Sequence, residues 1–230
     1  MRVHVAFTPA EAVEAPVGIV VDVLRATSTI AQALASGYRR VLCCAEVEEA
    51  RSLRAELGDG LLAGERKCLP IPGFDRGNSP SEFTEATGET VILTTTNGTR
   101  ALVAAASRCE RVVAASLLNL DAVVRAARAG GADAAVVCAG VGGDFALDDA
   151  YVAGRLVALL GGEPTDAAVA ALRLARSFGS ADEGLRASQS ARNLVDAGLE
   201  DDITWCARES MLEVVPRFAG MRGAAAEVSA

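Results

Sequence analysis

Short, nearly uninterrupted apolar runs alternate along this chain with segments whose apolar residues recur at helical spacing. The runs are Arg2 to Phe7, Val17 to Val23, Arg40 to Cys44, Thr90 to Thr95, Arg111 to Ala115 and Ala134 to Ala139. They are rich in Val and lack the polar alternation of a half-solvated strand, so they predict strands covered on both faces. Helices are predicted at Ser28 to Ser36, Ala45 to Leu57, Thr99 to Ser107, Asn119 to Ala129, Asp148 to Leu160 and Thr165 to Ser177. Gly37, Gly58 and Gly161 stand where helices stop, and Pro164 where one starts. Strand–helix alternation of this kind predicts an α/β fold with a largely parallel sheet and helices on both faces.

Two segments break the rhythm. Leu69 to Thr87 carries Pro70, Pro72, Gly73, Gly77 and Pro80 and reads as a long loop, which inside a compact domain marks function. Ala181 to Pro216 reads as short acid-rich helices, with Val214-Val215-Pro216 as an edge strand that proline ends. The segment from about Gly220 to Ala230 reads as a frayed tail. Neither a repeat nor a low-complexity linker divides the chain, so residues 1–230 are expected to form a single domain.

Composition narrows the chemistry. Of 230 residues 51% are apolar, enough for a sizeable core, but only 4% are aromatic, so Ala, Val and Leu must build it. A net charge of -8 excludes the broad basic face that nucleic-acid binding needs, though not a small anion held by local arginines. No apolar run is long enough to cross a membrane, and Met1 to Phe7 reads as a strand rather than a leader. The six cysteines form no CxxC pair, which suits a reducing cytoplasm. Apolar surface left over from an Ala- and Val-rich chain leaves a homodimer open. His4 is the only histidine and Lys67 the only lysine. Multi-histidine metal sites are therefore excluded, and the chemistry falls to carboxylates, hydroxyls, cysteine, arginine and a hard ion such as Mg²⁺.

Several strand ends carry those groups. The second apolar run carries one carboxylate, Asp22, near its end, and Arg25 and the hydroxyls Thr27, Ser28 and Thr29 open the next helix. A carboxylate at the end of a parallel strand faces the crevice where open α/β sheets bind ligands. The hydroxyls can cap the helix, whose free amides attract anions. Glu65 and Arg66 follow Leu61-Leu62-Ala63-Gly64 and repeat the acid–arginine pairing. Asp75, Arg76, Asn78, Ser79 and Glu82 crowd the proline-rich loop, where Asn78 or Ser79 can also cap a helix starting near Pro80. Thr94-Thr95-Thr96-Asn97-Gly98-Thr99-Arg100 joins a strand to a helix. Arg100 in a helix first turn is unfavourable unless an anion sits there, which points to phosphate or carboxylate binding. Cys138 ends a strand before Gly140, Gly142 and Gly143, and Asp148-Asp149 open the following helix as dipole partners or metal ligands. Acids for a divalent ion, arginines for non-bridging oxygens and helix amides together fit phosphoryl chemistry.

The stretches VDVLRATSTI, GER, GFDRGNSPSEF, TTTNGTRAL, Ser116-Leu117-Leu118-Asn119 and CAGVGGDFALDDAYVAG resemble, in order, the 2-phosphosulfolactate phosphatase family. The resemblance runs from about Val17 to about Pro216. It implies a three-layer α/β/α sandwich and a Mg²⁺-dependent acid phosphatase that converts 2-phospho-3-sulfolactate to 3-sulfolactate in coenzyme M biosynthesis. On that reading Asp22, Glu65 and Asp148 or Asp149 position Mg²⁺ and water. Arg25, Arg66 and Arg100 hold phosphate, carboxylate and sulfonate oxygens, and Thr27, Ser28, Asn78, Ser79, Thr96, Asn97 and Thr99 orient the ester. Asp22 is the first candidate nucleophile and Cys138 the second. Ser190-Ala191 stands where the family tends to carry histidine and glycine, a departure that bears on rate or specificity. Two other functions are weighed: a non-catalytic sensor of a phosphorylated metabolite, and a nucleotide-dependent transferase, which the chain's lack of a Walker or GxGxxG loop disfavours.

Overall fold

The Val-rich runs, apolar on both faces, become the interior of one mixed sheet of eleven strands in the computed structural model, which describes Met1 to Ala230. The first half of the chain contains β1 (Arg2–Ala6), β2 (Ala15–Val21), α1 (Ala26–Ala35), β3 (Arg40–Cys44), α2 (Val47–Leu57), β4 (Leu61–Arg66) and β5 (Leu69–Pro70). It continues through β6 (Thr90–Thr94), α3 (Gly98–Ala106), β7 (Cys109–Ala115) and α4 (Leu120–Arg128). The second half adds β8 (Ala134–Cys138), α5 (Leu147–Leu160), β9 (Glu163–Pro164), α6 (Asp166–Arg176), α7 (Ala181–Arg186), α8 (Gln189–Asp196) and α9 (Glu200–Cys206). The chain closes on β10 (Arg217–Arg222) and β11 (Ala225–Ser229). The six expected Val-rich strands and the six expected helices are present, their ends moved by at most two residues.

The strand order is β5-β4-β6-β3-β11-β10-β7-β2-β8-β1-β9. Two parallel blocks, β4-β6-β3 and β7-β2-β8-β1-β9, are joined by the antiparallel β10–β11 hairpin. This corrects the reading of the tail as frayed. Its Gly- and Ala-rich composition carries little strand signal, yet Ala225, Ala226 and Val228 are buried beside β3, because tertiary context overrides β-propensity. Val214-Val215-Pro216 is not an edge strand but the lead-in to β10, with the Pro216 carbonyl accepting from Ala114 N–H. The long loop holds β5 and a 3-10 turn at Pro80–Phe83.

Three cores follow from this layering. Helices α4 to α9 pack on one face of the β7-β2-β8-β1 block. Helices α1 and α3 pack against strands of both blocks, so Val20 and Val137 share a cluster with Val41 and Leu93. A smaller core lies under α2. No helix is long and apolar enough to cross a membrane.

Candidate active site

The carboxyl ends of β2, β4, β6 and β8 converge on a cavity of about 280 Å³. Its wall is polar: Asp22, Arg25, Glu65, Lys67, Asn78, Thr95, Thr96, Asn97 and Ser190 all reach it. At the end of β2 the backbone folds back on itself. Thr27 N–H and Thr27 Oγ1 both donate to the Asp22 carbonyl at 2.9 Å, and Ser28 Oγ donates to the Val23 carbonyl at 2.8 Å. The Leu24–Arg25 peptide is cis. The residue capping α1 is Arg25, and no side chain of Thr27, Ser28 or Thr29 caps it. Instead Asp22 Oδ1 accepts from Ala26 N–H at 3.3 Å, which leaves Oδ2 without a donor.

Opposite Asp22, the β4–β5 hairpin turns through Lys67 and Cys68, both left-handed at φ 53° and 67°. That conformation is uncommon for residues with a Cβ, and Glu65 holds it. Glu65 Oε2 accepts from Cys68 N–H at 2.8 Å, and Oε1 accepts from Thr96 N–H at 3.3 Å and Thr96 Oγ1 at 3.0 Å. β4 reaches β6 closely enough for this because residue 64 is glycine: a Cβ there would lie 2.2 Å from the Thr94 carbonyl oxygen. Asn97 Oδ1 accepts from Gly142 N–H at 3.3 Å, tying the β6–α3 turn to the β8–α5 loop. Gly98 brings α3 against the β2–α1 turn, since a Cβ at 98 would stand 2.7 Å from Ala26 Cβ and 3.0 Å from Asp22 Oδ2. The open amides of the α3 N-terminus thus lie beside Asp22, in a position suited to an anion.

Arg25 is only 3% exposed. Its Nη1 donates to Ser79 Oγ at 3.1 Å and to Asp202 Oδ2 at 2.6 Å, and its Nη2 donates to the Cys68 carbonyl at 2.8 Å. Asn78 is held by its carbonyl, which accepts from Thr29 Oγ1 at 2.8 Å, while its buried Oδ1 has no partner. A buried polar atom on a cavity wall with no partner is a place for a ligand to fill.

Three buried carboxylates set the electrostatics. Burial is the main force raising Asp22, to about 7, with the charges of Asp148 and Glu65 adding to it. Burial likewise raises Asp148 to about 6 and holds Asp149 well above the ordinary carboxylate range. Asp149 accepts from Val23 N–H and Gly140 N–H, both at 3.0 Å, and Asp148 Oδ1 accepts from Ser190 Oγ at 3.0 Å. Such a concentration of desolvated acid favours either bound protons or a cation. No three His, Cys, Asp or Glu side chains are arranged as an all-protein metal cage. The cavity instead offers the carboxylates of Asp22 and Glu65 and the orphaned Asn78 Oδ1. That oxygen set fits Mg²⁺, which binds through one or two carboxylates and completes its octahedron with water and substrate phosphate.

Several expected site residues lie elsewhere. Arg100 is exposed and does not line the cavity; at the third position of α3 its side chain leaves the helix away from the strand ends. Arg66 is spent on the Glu65 and Ala45 carbonyls at 2.8 and 2.7 Å. Thr99 Oγ1 donates to the Cys44 carbonyl at 3.2 Å, and Ser79 Oγ donates to Asp202 at 2.7 Å, so both support the wall rather than form it. Thr27 and Ser28 are buried inside their own turn. Cys138 is fully buried in the core at the end of β8, paired with Val21 of β2, and burial holds its thiol well above the ordinary value. Asp148 and Asp149 do not line this cavity, although Ser190, which donates to Asp148, does. Asp22, Arg25, Glu65, Asn78, Thr96 and Asn97 are the expected residues that the fold brings together. Lys67 was missed although its being the sole lysine, directly after Glu65-Arg66, was a signal. Asp202 gave none, because it is one of three consecutive acids distant in sequence.

Residues 4–220 match the family model for 2-phosphosulpholactate phosphatase. A probable 2-phosphosulfolactate phosphatase of Symbiobacterium thermophilum is 41% identical over 220 residues, covering 91% of this chain and 94% of that protein. The protein of the same name from Thermus thermophilus is 40% identical over 233 residues, covering 98% of each. The one from Deinococcus radiodurans is 42% identical over 207 residues, covering 87% of this chain and 86% of its own. With the site at the strand ends and a match of this extent, the chain belongs to the 2-phosphosulfolactate phosphatase family.

Proposed function

We propose that the chain is a cytoplasmic, Mg²⁺-dependent phosphatase that hydrolyses 2-phospho-3-sulfolactate to 3-sulfolactate and phosphate, on the route to coenzyme M. The observation that carries this reading is the free Oδ2 of buried Asp22, facing a cavity that also holds Arg25, Lys67 and the α3 N-terminus. Those cations and amides bind the non-bridging phosphate oxygens and stabilise the charge that moves onto them in the transition state. Asp22 and Glu65, with Asn78 Oδ1, are the groups that would hold Mg²⁺. When bound, the ion neutralises phosphate charge and offsets the repulsion among the acids. Asn97 and Thr96 fix the floor through Gly142 and Glu65, and Asn78 orients the ester. Asp22 is the favoured nucleophile, because Oδ2 carries no hydrogen bond and burial strips it of solvent.

The test is release of inorganic phosphate from 2-phospho-3-sulfolactate, with 2-phospholactate alongside. Release with Mg²⁺, abolished by EDTA and restored by Mg²⁺, is the expected result. Binding of the ester without release would move the chain to the sensor reading. Rapid quenching with ³²P-labelled ester should leave label on Asp22. An unlabelled protein under turnover would assign the attack to water, with Asp22 as base.

A further inference from the structure

We propose that Asp202, in the first turn of α9, is the residue that positions Arg25 for anion binding. The proposal rests on the phosphatase reading for Arg25 and extends the site to a helix that does not line the cavity. Asp202 is 4% exposed, while its neighbours Glu200 and Asp201 are solvated, so one acid of the run has been drawn inward. Its Oδ2 accepts from Arg25 Nη1 at 2.6 Å and from Ser79 Oγ at 2.7 Å, and Ser79 Oγ accepts in turn from the same Nη1 at 3.1 Å. The three side chains form a closed triangle, and the Cys68 carbonyl holds Nη2 from the other side. A guanidinium has five N–H groups in a rigid plane. Both on Nη1 and one on Nη2 are committed, so the remaining Nη2 hydrogen and Nε–H are free for an oxyanion.

An arginine at a strand end has many rotamers, and a buried guanidinium without an acid partner would be desolvated and unbalanced. Asp202 removes both problems, and it does so from a segment 177 residues away in sequence. Because it neutralises Arg25, its contribution to anion binding comes from orientation rather than added positive charge. A conservative variant can therefore separate the two: the amide of D202N keeps an acceptor oxygen at the same place but loses the charge.

The test compares D202A, D202N, R25A and the double variant R25A/D202A, each first shown to fold by thermal melting. kcat and KM on 2-phospho-3-sulfolactate with Mg²⁺, and the Kd for inorganic phosphate by calorimetry, are the readouts. D202A should lower kcat/KM about a hundredfold, the scale of a misplaced binding group. D202N should recover most of that loss. D202A added to R25A should cost nothing further, because a residue acting through Arg25 has no effect once Arg25 is gone. Wild-type kcat and KM in folded D202A would overturn the proposal, as would additive losses in the double variant. Should D202A fail to fold, S79A/D202N, which leaves Arg25 Nη1 only an uncharged amide oxygen, should lose about tenfold by the same reasoning, and wild-type kinetics in that variant would overturn the proposal. Should the wild type release no phosphate from any ester, the phosphatase reading falls alone. Phosphate affinity would still decide Asp202: weakened in a folded variant it supports the role, unchanged it ends it.

Discussion

The β2–α1 turn and the β6–α3 turn are built from nearly the same parts, and only one of them delivers an arginine to the cavity. Each follows a Val-rich parallel strand, and each combines three or more hydroxyl residues with one arginine at a helix start. In the first turn the arginine precedes the hydroxyls and caps α1, so its side chain projects over the strand end. In the second it follows them, three residues into α3, and it is solvated. A helix rotates roughly 100° per residue, so such a shift turns a side chain from the crevice to the solvent. The second difference is long-range: Arg25 meets Asp202 and Ser79 in a buried ion pair, and Arg100 meets no acid. A cation in a helix first turn is unfavourable as expected, but solvent relieves a surface charge as well as a ligand does.

That contrast can be broken most directly by removing each arginine. R25A should lower kcat/KM by about 10²- to 10³-fold, the range for losing one donor to transition-state charge. R100A should leave it within about twofold, as for an exposed residue without partners. Equal losses in the two variants would erase the distinction. The turns also touch, and G98A sharpens the comparison at that contact. The new Cβ would stand 2.7 Å from Ala26 Cβ and 3.0 Å from Asp22 Oδ2, so one turn must move. Overpacking on this scale costs about 1–3 kcal/mol of stability. The melting temperature should fall, and kcat/KM should drop about tenfold or more through displacement of Asp22.

Stability against pH responds to the same acids. The Asp22 carboxyl has an ordinary value of 3.8 and is raised to about 7, mainly by burial, with Asp148 raised to about 6. Between those limits the folded chain keeps protons that the unfolded chain has released. Stability from these groups is complete below pH 3.8 and is lost as the pH rises through about 7. Melts in EDTA should show it falling by up to about 1.4 kcal/mol per pH unit for each proton involved. Mg²⁺ should flatten the slope by favouring the charged acids, and D22N should reduce it without metal. A slope in D22N as steep as in the wild type would show that Asp22 is not its source.

The strands and helices were legible because burial on two faces writes itself as continuous apolarity, and helix ends write themselves as glycine. Asp22, Glu65 and Asn97 were legible for a related reason, since a polar residue directly after such a run must stand at the sheet's edge. The division of the acids was not legible. Asp148 and Asp149 read as helix dipole partners or metal ligands; in the structure Asp149 bridges the Val23 and Gly140 amides, and one oxygen of Asp148 accepts from Ser190. Cys138 misled in the same way, for the step from strand end to core is a matter of one side-chain direction. The β10–β11 hairpin gave little sign, since Gly and Ala become strand only when neighbours enclose them.

That hairpin also dictates the order of assembly during translation. Strands β3 and β7 leave the ribosome before the strands that hydrogen-bond between them, which arrive only with residues 217–229. Pairings so distant in sequence are slow to close, and the nascent polypeptide exposes two unfinished sheet edges while it waits. Until those residues pair, α1 and α3, which pack against strands of both blocks, hold the two halves of the sheet together.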